Sequence, residues 1–173
     1  DMVMESLYQW SAKEPLKTLV VFLGDNIYEN GLVPENHPER KNSEKYLSAQ
    51  MNTIKKSGAR GLFIPGNHDW ASGGEEGRAS IMRQQAMVQQ TFLQDSVFLP
   101  SNACPGPVAI DLPGIRLIAM DTDFWINDKI EWASQCEQSN EQLFLDKLEK
   151  LLMDRGDREV VVAAHHPLQT HGT

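Results

Sequence analysis

Four short apolar runs constrain the fold of this chain more than any other feature. They are TLVVFL (18–23), GLFI (61–64), IRLIAM (115–120) and EVVVAA (159–164). Because their apolar residues are continuous rather than alternating, we expect strands whose two faces are both covered by helices. Helical patterns lie between the runs, so the sequence predicts a layered α/β fold in which helices flank the sheet or sheets.

Four helices are predicted by apolar spacing and by their end signals. The first precedes Pro15, the second stops near Gly58, and the third covers roughly residues 77–93. The apolar stripes at helical spacing are Val3, Leu7 and Trp10 in the first helix and Leu47, Met51 and Ile54 in the second.

The fourth helix has the clearest signals of the four. Ser139 and Gln142 have the spacing of a capping box, and Gly156 marks the end of the helix. Its apolar stripe is Phe144, Leu148, Leu151 and Leu152. Elsewhere, the short run PVAI (107–110) is expected to pair with IRLIAM as a hairpin through the DLPG turn.

Length and charge limit the classes of function. The chain of 173 residues has room for one domain with a sizeable core. Its 24 acidic residues outnumber its 16 Lys and Arg residues, and the net charge of −8 disfavours binding to a nucleic-acid duplex. No apolar run approaches the ~18 residues of a membrane span, so none is expected in this chain. The chain lacks a signal-peptide pattern and opens on Asp1, which is consistent with a mature or partial chain.

Cys104 and Cys136 both lie in loop-like surroundings, and the chain has no CxxC motif. They are either two unrelated thiols or a single disulfide between two loops. A disulfide would indicate an oxidising compartment. The residues themselves leave both alternatives open.

Polar side chains follow all four apolar runs. In open α/β sheets, ligands bind outside the carboxyl ends of the strands. Carboxylate, amide and imidazole groups suit hard or borderline divalent metals, and two such metals can activate water and clamp a phosphoryl group. A protein of net charge −8 needs a local cationic centre to attract a phosphate ester, and no Walker-type loop is present. The polar endings are GDNIY (24–28), PGNHDW (65–70), DTD (121–123) and HHP (165–167).

Three of these motifs carry a family resemblance. GDN, GNHD and HHP, in this order and at strand ends, resemble the calcineurin-like metallophosphoesterase superfamily. GDNIY further resembles the purple acid phosphatase branch, in which an acidic residue and a Tyr three positions later bind iron. The resemblance implies a phosphoesterase that hydrolyses a small-molecule or protein phosphate ester. The reaction would use water activated at a dinuclear centre of Fe, Mn or Zn. If the Tyr binds iron, one of the two ions would be trivalent.

The resemblance assigns metal-binding roles to four residues. Asp25 matches the bridging carboxylate, and Asn67 and His165 match the amide and imidazole ligands of one metal. Tyr28 matches the phenolate ligand of the other metal, although packing is an equally good interpretation of a Tyr at a strand mouth. A turn Asp, a turn Asn and a packed His are the structural alternatives for the other three.

The resemblance also implies a catalytic pair. His68 matches the residue that protonates the leaving group or steadies the phosphoryl oxygens, and Asp69 matches its orienting partner. Structural hydrogen bonding is the alternative for both.

Four other polar residues have no matched ligand role. Asp121 and Asp123 are interpreted as structural or pocket-lining residues. His166 is either a packed residue or a substrate contact. His171 is interpreted as a loop residue that could line the pocket.

The chain departs from the family pattern at both ends. An Asp-x-His or Asp-x-Gly motif is expected upstream and a Gly-His-x-His motif downstream, and neither is present. We therefore expect residues 1–173 to be a single partial metallophosphoesterase domain that is not a competent enzyme by itself. A non-catalytic domain that keeps the fold as a binding or structural module is the alternative.

Two further expectations follow from the resemblance. The first, second and fourth apolar runs should form parallel strands of one sheet, with Asp25, Asn67 and His165 converging at their carboxyl ends. The likeness to secreted and cell-surface phosphatases favours a Cys104–Cys136 disulfide and an extracytoplasmic location, whether periplasmic, secreted or cell-surface.

Overall fold

The computed structural model describes residues 2–71, 73–126, 134–167 and 169. Its helices are α1 (Met2–Ser11), α2 (Arg40–Ser57), α3 (Gly74–Phe92), α4 (Asp123–Ile126) and α5 (Glu141–Met153). Its strands are β1 (Leu19–Leu23), β2 (Arg60–Ile64), β3 (Val108–Leu112), β4 (Ile115–Ala119) and β5 (Glu159–Ala163).

The strands form two sheets rather than one. β1 and β2 pair in parallel, with Leu19 opposite Arg60. The predicted hairpin is confirmed as the antiparallel pair β3–β4, and β5 pairs in parallel with the free edge of β4. The prediction that the first, second and fourth apolar runs share one sheet is therefore wrong. The hairpin occupies only one edge of β4, and the crossover through α5 returns the chain to the other edge.

Two apolar clusters show how the layers stack. On one side of the β1–β2 sheet, Phe22 and Phe63 stack with ring centroids 4.5 Å apart and pack among buried residues of α2 and α3. On the other side, Leu62 and Ile64 lie in a cluster with residues of β4 and β5. The order of layers is helices, β1–β2 sheet, β3–β4–β5 sheet, which confirms the predicted layered α/β fold.

Coverage of the strands is less complete than their apolar sequences predict. Val161 and Val162 point to opposite faces of β5, and each is 46% exposed. The expectation that helices cover both faces is therefore wrong for β5, which is an edge strand of its sheet.

The helices confirm some of the sequence signals and correct others. α2 buries its predicted stripe and ends at Ser57, and its C-cap Gly58 has a left-handed φ of 74°. α1 forms as predicted and packs on α2, but Val3 and Trp10 of its predicted stripe are 67% and 71% exposed. α5 begins one residue later than the capping-box spacing predicts. Asn140, not Ser139, is its N-cap and accepts a hydrogen bond from the Leu143 N–H.

The two cysteines are joined. Cys104 and Cys136 form a disulfide with Cα atoms 5.7 Å apart, which confirms the pairing favoured by the resemblance. The bridge links the loop before β3 to the segment before α5. Among the described residues, no helix is both long enough and apolar enough to cross a bilayer.

Removal of the disulfide should destabilise the protein. The bridge closes a loop with a sequence separation of 32, for which loop-closure entropy predicts a loss of about 3–4 kcal/mol in the free energy of unfolding. Urea denaturation with and without reductant measures this loss. The double variant Cys104→Ser/Cys136→Ser is the control and should not respond to reductant. A wild-type protein equally indifferent to reductant would contradict the prediction.

Candidate metal centre

Asp25, Asn67 and His165 meet at the carboxyl ends of β1, β2 and β5. The His165 Nε2 atom lies 3.0 Å from Asn67 Oδ1 and 3.4 Å from Asp25 Oδ1. The side chains of His165 and Asp25 are only 18% and 13% exposed. The predicted convergence of these three side chains is confirmed although their strands belong to two sheets.

Two glycines allow the strand ends to approach this closely. A Cβ on Gly24 would lie 2.7 Å from Gly66 Cα and from His165 Nδ1. A Cβ on Gly66 would lie 2.5 Å from Asp25 Oδ1, which is closer than real Cβ contacts. Asp25 itself has a φ of 53°, a conformation that costs a non-glycine residue about 1–2 kcal/mol. The fold holds this carboxylate in a strained backbone position, a common feature of functional sites.

The orientation of the His165 ring is set by the backbone of β1. His165 Nδ1 lies 2.8 Å from the carbonyl oxygen of Leu23, and because a carbonyl only accepts, Nδ1 carries the proton. In the neutral ring, Nε2 then presents a lone pair toward the oxygens of Asn67 and Asp25. Three electron-rich atoms face one another, an arrangement that a cation would satisfy.

Tyr28 is connected to the same carboxylate. Its hydroxyl donates to Asp25 Oδ2 at 2.7 Å, while its side chain is otherwise largely solvent-exposed. This hydrogen bond and the negative charge of Asp25 raise the pKa of Tyr28 above its usual 10.0. A phenolate ligand must lose this proton, so binding of a cation by Tyr28 would have to displace it.

His68 lies beside Tyr28 and is oriented by a backbone group. Its Nδ1 is 2.8 Å from the Glu29 carbonyl oxygen, so Nδ1 donates and Nε2 remains available to a ligand. The Tyr28 and His68 rings are in contact, with centroids 4.2 Å apart. The His68 backbone N–H donates to Asp25 Oδ1 at 3.0 Å, which ties the histidine to the carboxylate.

The expectation that Asp69 orients the His68 ring is wrong. Asp69 is fully buried, and its carboxylate accepts from backbone N–H groups of Asn26, Ile27 and Gly66 at 2.9–3.1 Å. It also accepts from the Asn26 side-chain amide at 3.1 Å. These four donors occupy the carboxylate, so Asp69 holds together the loops that carry the site instead of contacting the imidazole.

The other polar strand-end residues are structural in this arrangement. Asp121 is fully buried and accepts from Trp70 Nε1 at 2.7 Å and from the Asp123 N–H at 3.0 Å, so its structural interpretation is confirmed. His166 Nδ1 lies 2.8 Å from Thr122 Oγ1, which joins the ends of β4 and β5. His171 lies outside the described residues.

The candidate ligand atoms suit a metal ion that binds both nitrogen and oxygen. Within the part of the chain described above, no cluster of three or more His, Cys, Asp and Glu side chains suits a metal. The site contains two groups of those types, Asp25 and His165, and its other candidate donors are the Asn67 amide oxygen and the Tyr28 phenol. Amide and phenol oxygens suit hard or borderline cations, so the chemistry of the residues fits.

Two contributors to the site have no signal in the sequence. The carbonyl groups of Leu23 and Glu29 orient His165 and His68, but every residue has a carbonyl group. Asn26 is a further contributor that composition does not reveal. Its side chain donates to the Ile64 carbonyl at 2.9 Å as well as to Asp69. Its position next to Asp25 in GDN is the only available signal.

Comparison with known proteins gives one match. The profile of the family described as calcineurin-like phosphoesterase matches residues 4–173. Searches of curated proteins and of solved structures return no significant match.

The buried carboxyls should make the protein less stable as pH rises. Burial raises the pKa of Asp121 from 3.8 to about 7, and burial likewise raises the pKa of Asp69 to about 6. Between these values and 3.8, the unfolded chain releases protons that the folded protein keeps, so raising the pH favours unfolding. The contribution of Asp121 to stability should therefore fall from about pH 4 to about pH 7 and then level off.

Denaturation in urea at several pH values between 4 and 8 measures this effect. Asp121→Asn should show a shallower decline than the wild type because its side chain cannot ionise. Asp157→Asn, the same substitution at an exposed turn, controls for the change in net charge. Equal pH dependence in Asp121→Asn and the wild type would show that Asp121 does not titrate as described.

Proposed function

Because the chain belongs to the calcineurin-like phosphoesterase family, whose members hydrolyse phosphate esters, we propose that it forms part of a dinuclear hydrolytic site. The proposed ligands are Asp25, Asn67 and His165, with Tyr28 on the second ion as in the purple acid phosphatase branch. One observation carries the proposal. The Nε2 atom of His165 faces the oxygens of Asn67 and Asp25 while its Nδ1 proton is committed to Leu23.

The proposed metal ligands have distinct roles. Asp25 and Asn67 hold their oxygens at the strand ends, and His165 is oriented by the backbone for binding through Nε2. Metal ions of this family would supply Lewis acidity, which neutralises phosphoryl charge and activates water. The family typically binds divalent metals, and a Tyr ligand favours iron as one of the two ions.

His68 is proposed to act on the leaving group. Its Nδ1 proton is held by Glu29, and the Tyr28 ring restricts the imidazole from one side. In the imidazolium form, Nε2 would donate a proton to the departing alkoxide, and it would retain the lone pair afterwards. Asp69 acts through the loops as a positioning residue, because its hydrogen bonds join the segments that bear Asp25 and His68.

The location proposed from the resemblance is extracytoplasmic. The disulfide between Cys104 and Cys136 supports an oxidising compartment, because such bridges are rare in the cytosol. Free thiols at both positions in protein isolated without reductant would contradict this proposal.

Metal analysis of the full-length protein after reconstitution with Fe, Mn or Zn tests the metal site. Asn67→Ala should lower the affinity for one ion by more than the ~10–100-fold that loss of an outer-shell partner causes. Asn52→Ala, the same substitution on the exposed face of α2, is the control. If iron is bound by the phenolate, Tyr28→Phe should abolish a visible charge-transfer band without loss of the ion held by Asn67.

The wild-type result decides between the two functional classes. Binding of two ions per chain supports the hydrolase. A full-length protein that binds no Fe, Mn or Zn would support the alternative of a non-catalytic domain.

The role of His68 can be tested by the choice of leaving group. His68→Ala should lose about 10²–10⁴-fold in rate on alkyl phosphates, the usual scale for a positioned acid. Metal content should be unchanged because His68 is not assigned as a ligand. The loss should shrink on nitrophenyl phosphate, whose leaving group needs little protonation. Equal losses on both esters would indicate charge stabilisation, and loss of metal would place His68 among the ligands.

A further inference from the structure

A cavity of about 870 Å³ opens beside the candidate metal centre. Its walls come from Met4 of α1, from the loop that follows β1, and from residues 42–50 of α2. Tyr28 and Glu29 belong both to this cavity and to the site, since Tyr28 donates to Asp25 and Glu29 holds the His68 ring. The cavity therefore adjoins the candidate site on the side of Tyr28 and Glu29, next to the His68 ring.

We propose that this cavity binds the alcohol portion of the phosphate ester, and that this alcohol is polyhydroxylated and carries no second anionic group. The inference rests on the proposed function, because it assigns the cavity to the leaving group of the same reaction. A volume of about 870 Å³ is within the usual range for small-molecule sites and exceeds what the phosphate group alone requires.

The charged groups of the cavity argue against a second phosphate or carboxylate on the substrate. Glu29 and Glu39 both line it, and among the described lining residues Lys45 supplies the one ammonium group. Ionised carboxylates repel an additional anion but accept hydrogen bonds from hydroxyl groups.

The neutral polar groups argue for hydroxyls and against an alkyl chain. Asn30 and Asn42 also line the cavity. Asn42 donates one amide N–H to Glu39 Oε2 at 2.7 Å, and within the described part of the chain this leaves its carbonyl oxygen and its second N–H for a ligand. A hydroxyl can both donate to and accept from such groups, whereas an alkyl chain would leave them unpaired on burial.

Apolar contacts complete the recognition surface. The side chain of Tyr46 is 54% exposed and lines the cavity with Met4. A carbon ring that bears hydroxyls presents C–H groups to such apolar surfaces and O–H groups to the polar ones, so a sugar-like alcohol matches both kinds of lining.

A pair of substrates matched in size tests the inference. Glucose 6-phosphate and hexyl phosphate are both phosphate esters of primary alcohols with six carbons, and they differ chiefly in hydroxyl groups. The full-length protein should have a kcat/KM at least about 10-fold higher for glucose 6-phosphate, because a site built to bind hydroxyls discriminates against an analogue that lacks them. Glucose 1,6-bisphosphate should be a poorer substrate than glucose 6-phosphate.

Matched variants on α2 locate the source of the preference. Asn42→Leu should reduce the ratio of the two kcat/KM values by about 10-fold, the scale of one lost hydrogen bond to a substrate hydroxyl. Asn52→Leu carries the same substitution on the same helix at an exposed position outside the cavity, and it should keep the wild-type ratio. An unchanged ratio in Asn42→Leu would overturn the assignment to this cavity.

Other outcomes separate this inference from the proposed function. If nitrophenyl phosphate is hydrolysed but the kcat/KM for hexyl phosphate equals that for glucose 6-phosphate, the cavity inference is wrong and the proposed hydrolytic function is retained. Preference for the bisphosphate or for a phosphoserine peptide overturns the inference in the same way. If no ester is hydrolysed with any metal, the proposed function fails. Saturation-transfer NMR then tests whether glucose 6-phosphate binds to the metal-free protein. A signal that is present in the wild type and lost in Asn42→Leu would support binding in the cavity. The absence of a signal in the wild type would refute it.

Discussion

The carboxylate of Asp69 is the interaction on which the rest of the site depends. It is fully buried and receives four hydrogen bonds from the loops after β1 and β2. Unpaired ionisation of such a group would be very costly, so these donors are required wherever the carboxyl is charged. Because the donors lie beside Asp25 and Asn67, the same bonds set the distance between the two predicted oxygen ligands.

Further hydrogen bonds connect the carboxyl ends of β1, β2, β4 and β5. Trp70 donates to Asp121 and so joins the loop after β2 to the end of β4. Thr122 and His166 join the ends of β4 and β5, and the bond from His165 to Leu23 returns to β1. These hydrogen bonds link the ends of the two sheets to each other. They explain how His165 of one sheet can lie 3.0–3.4 Å from the oxygens of Asn67 and Asp25 of the other.

The two histidines with proposed roles, His165 and His68, are both oriented by backbone carbonyl groups. His165 donates to Leu23 and His68 donates to Glu29. In each case Nδ1 carries the proton, and Nε2 of His165 faces Asn67 and Asp25, which is the arrangement needed for binding a metal. An orienting carbonyl cannot be removed by exchanging a side chain, so these orientations depend on the path of the loops rather than on a particular residue type.

The sequence by itself determined the helix–strand alternation, the hairpin and the identity of the groups at the strand ends. Those features depend on local periodicity and on residue chemistry, as in the buried stripe of α2 and the GDN and GNHD motifs. Only the tertiary structure decided that β5 joins β4 rather than β1, and that Asp69 binds loop N–H groups rather than His68. Strand pairing depends on which sheet edge is free, and hydrogen bonding on which donors reach a buried carboxylate. Both are non-local, so neighbouring residues in the sequence do not specify them.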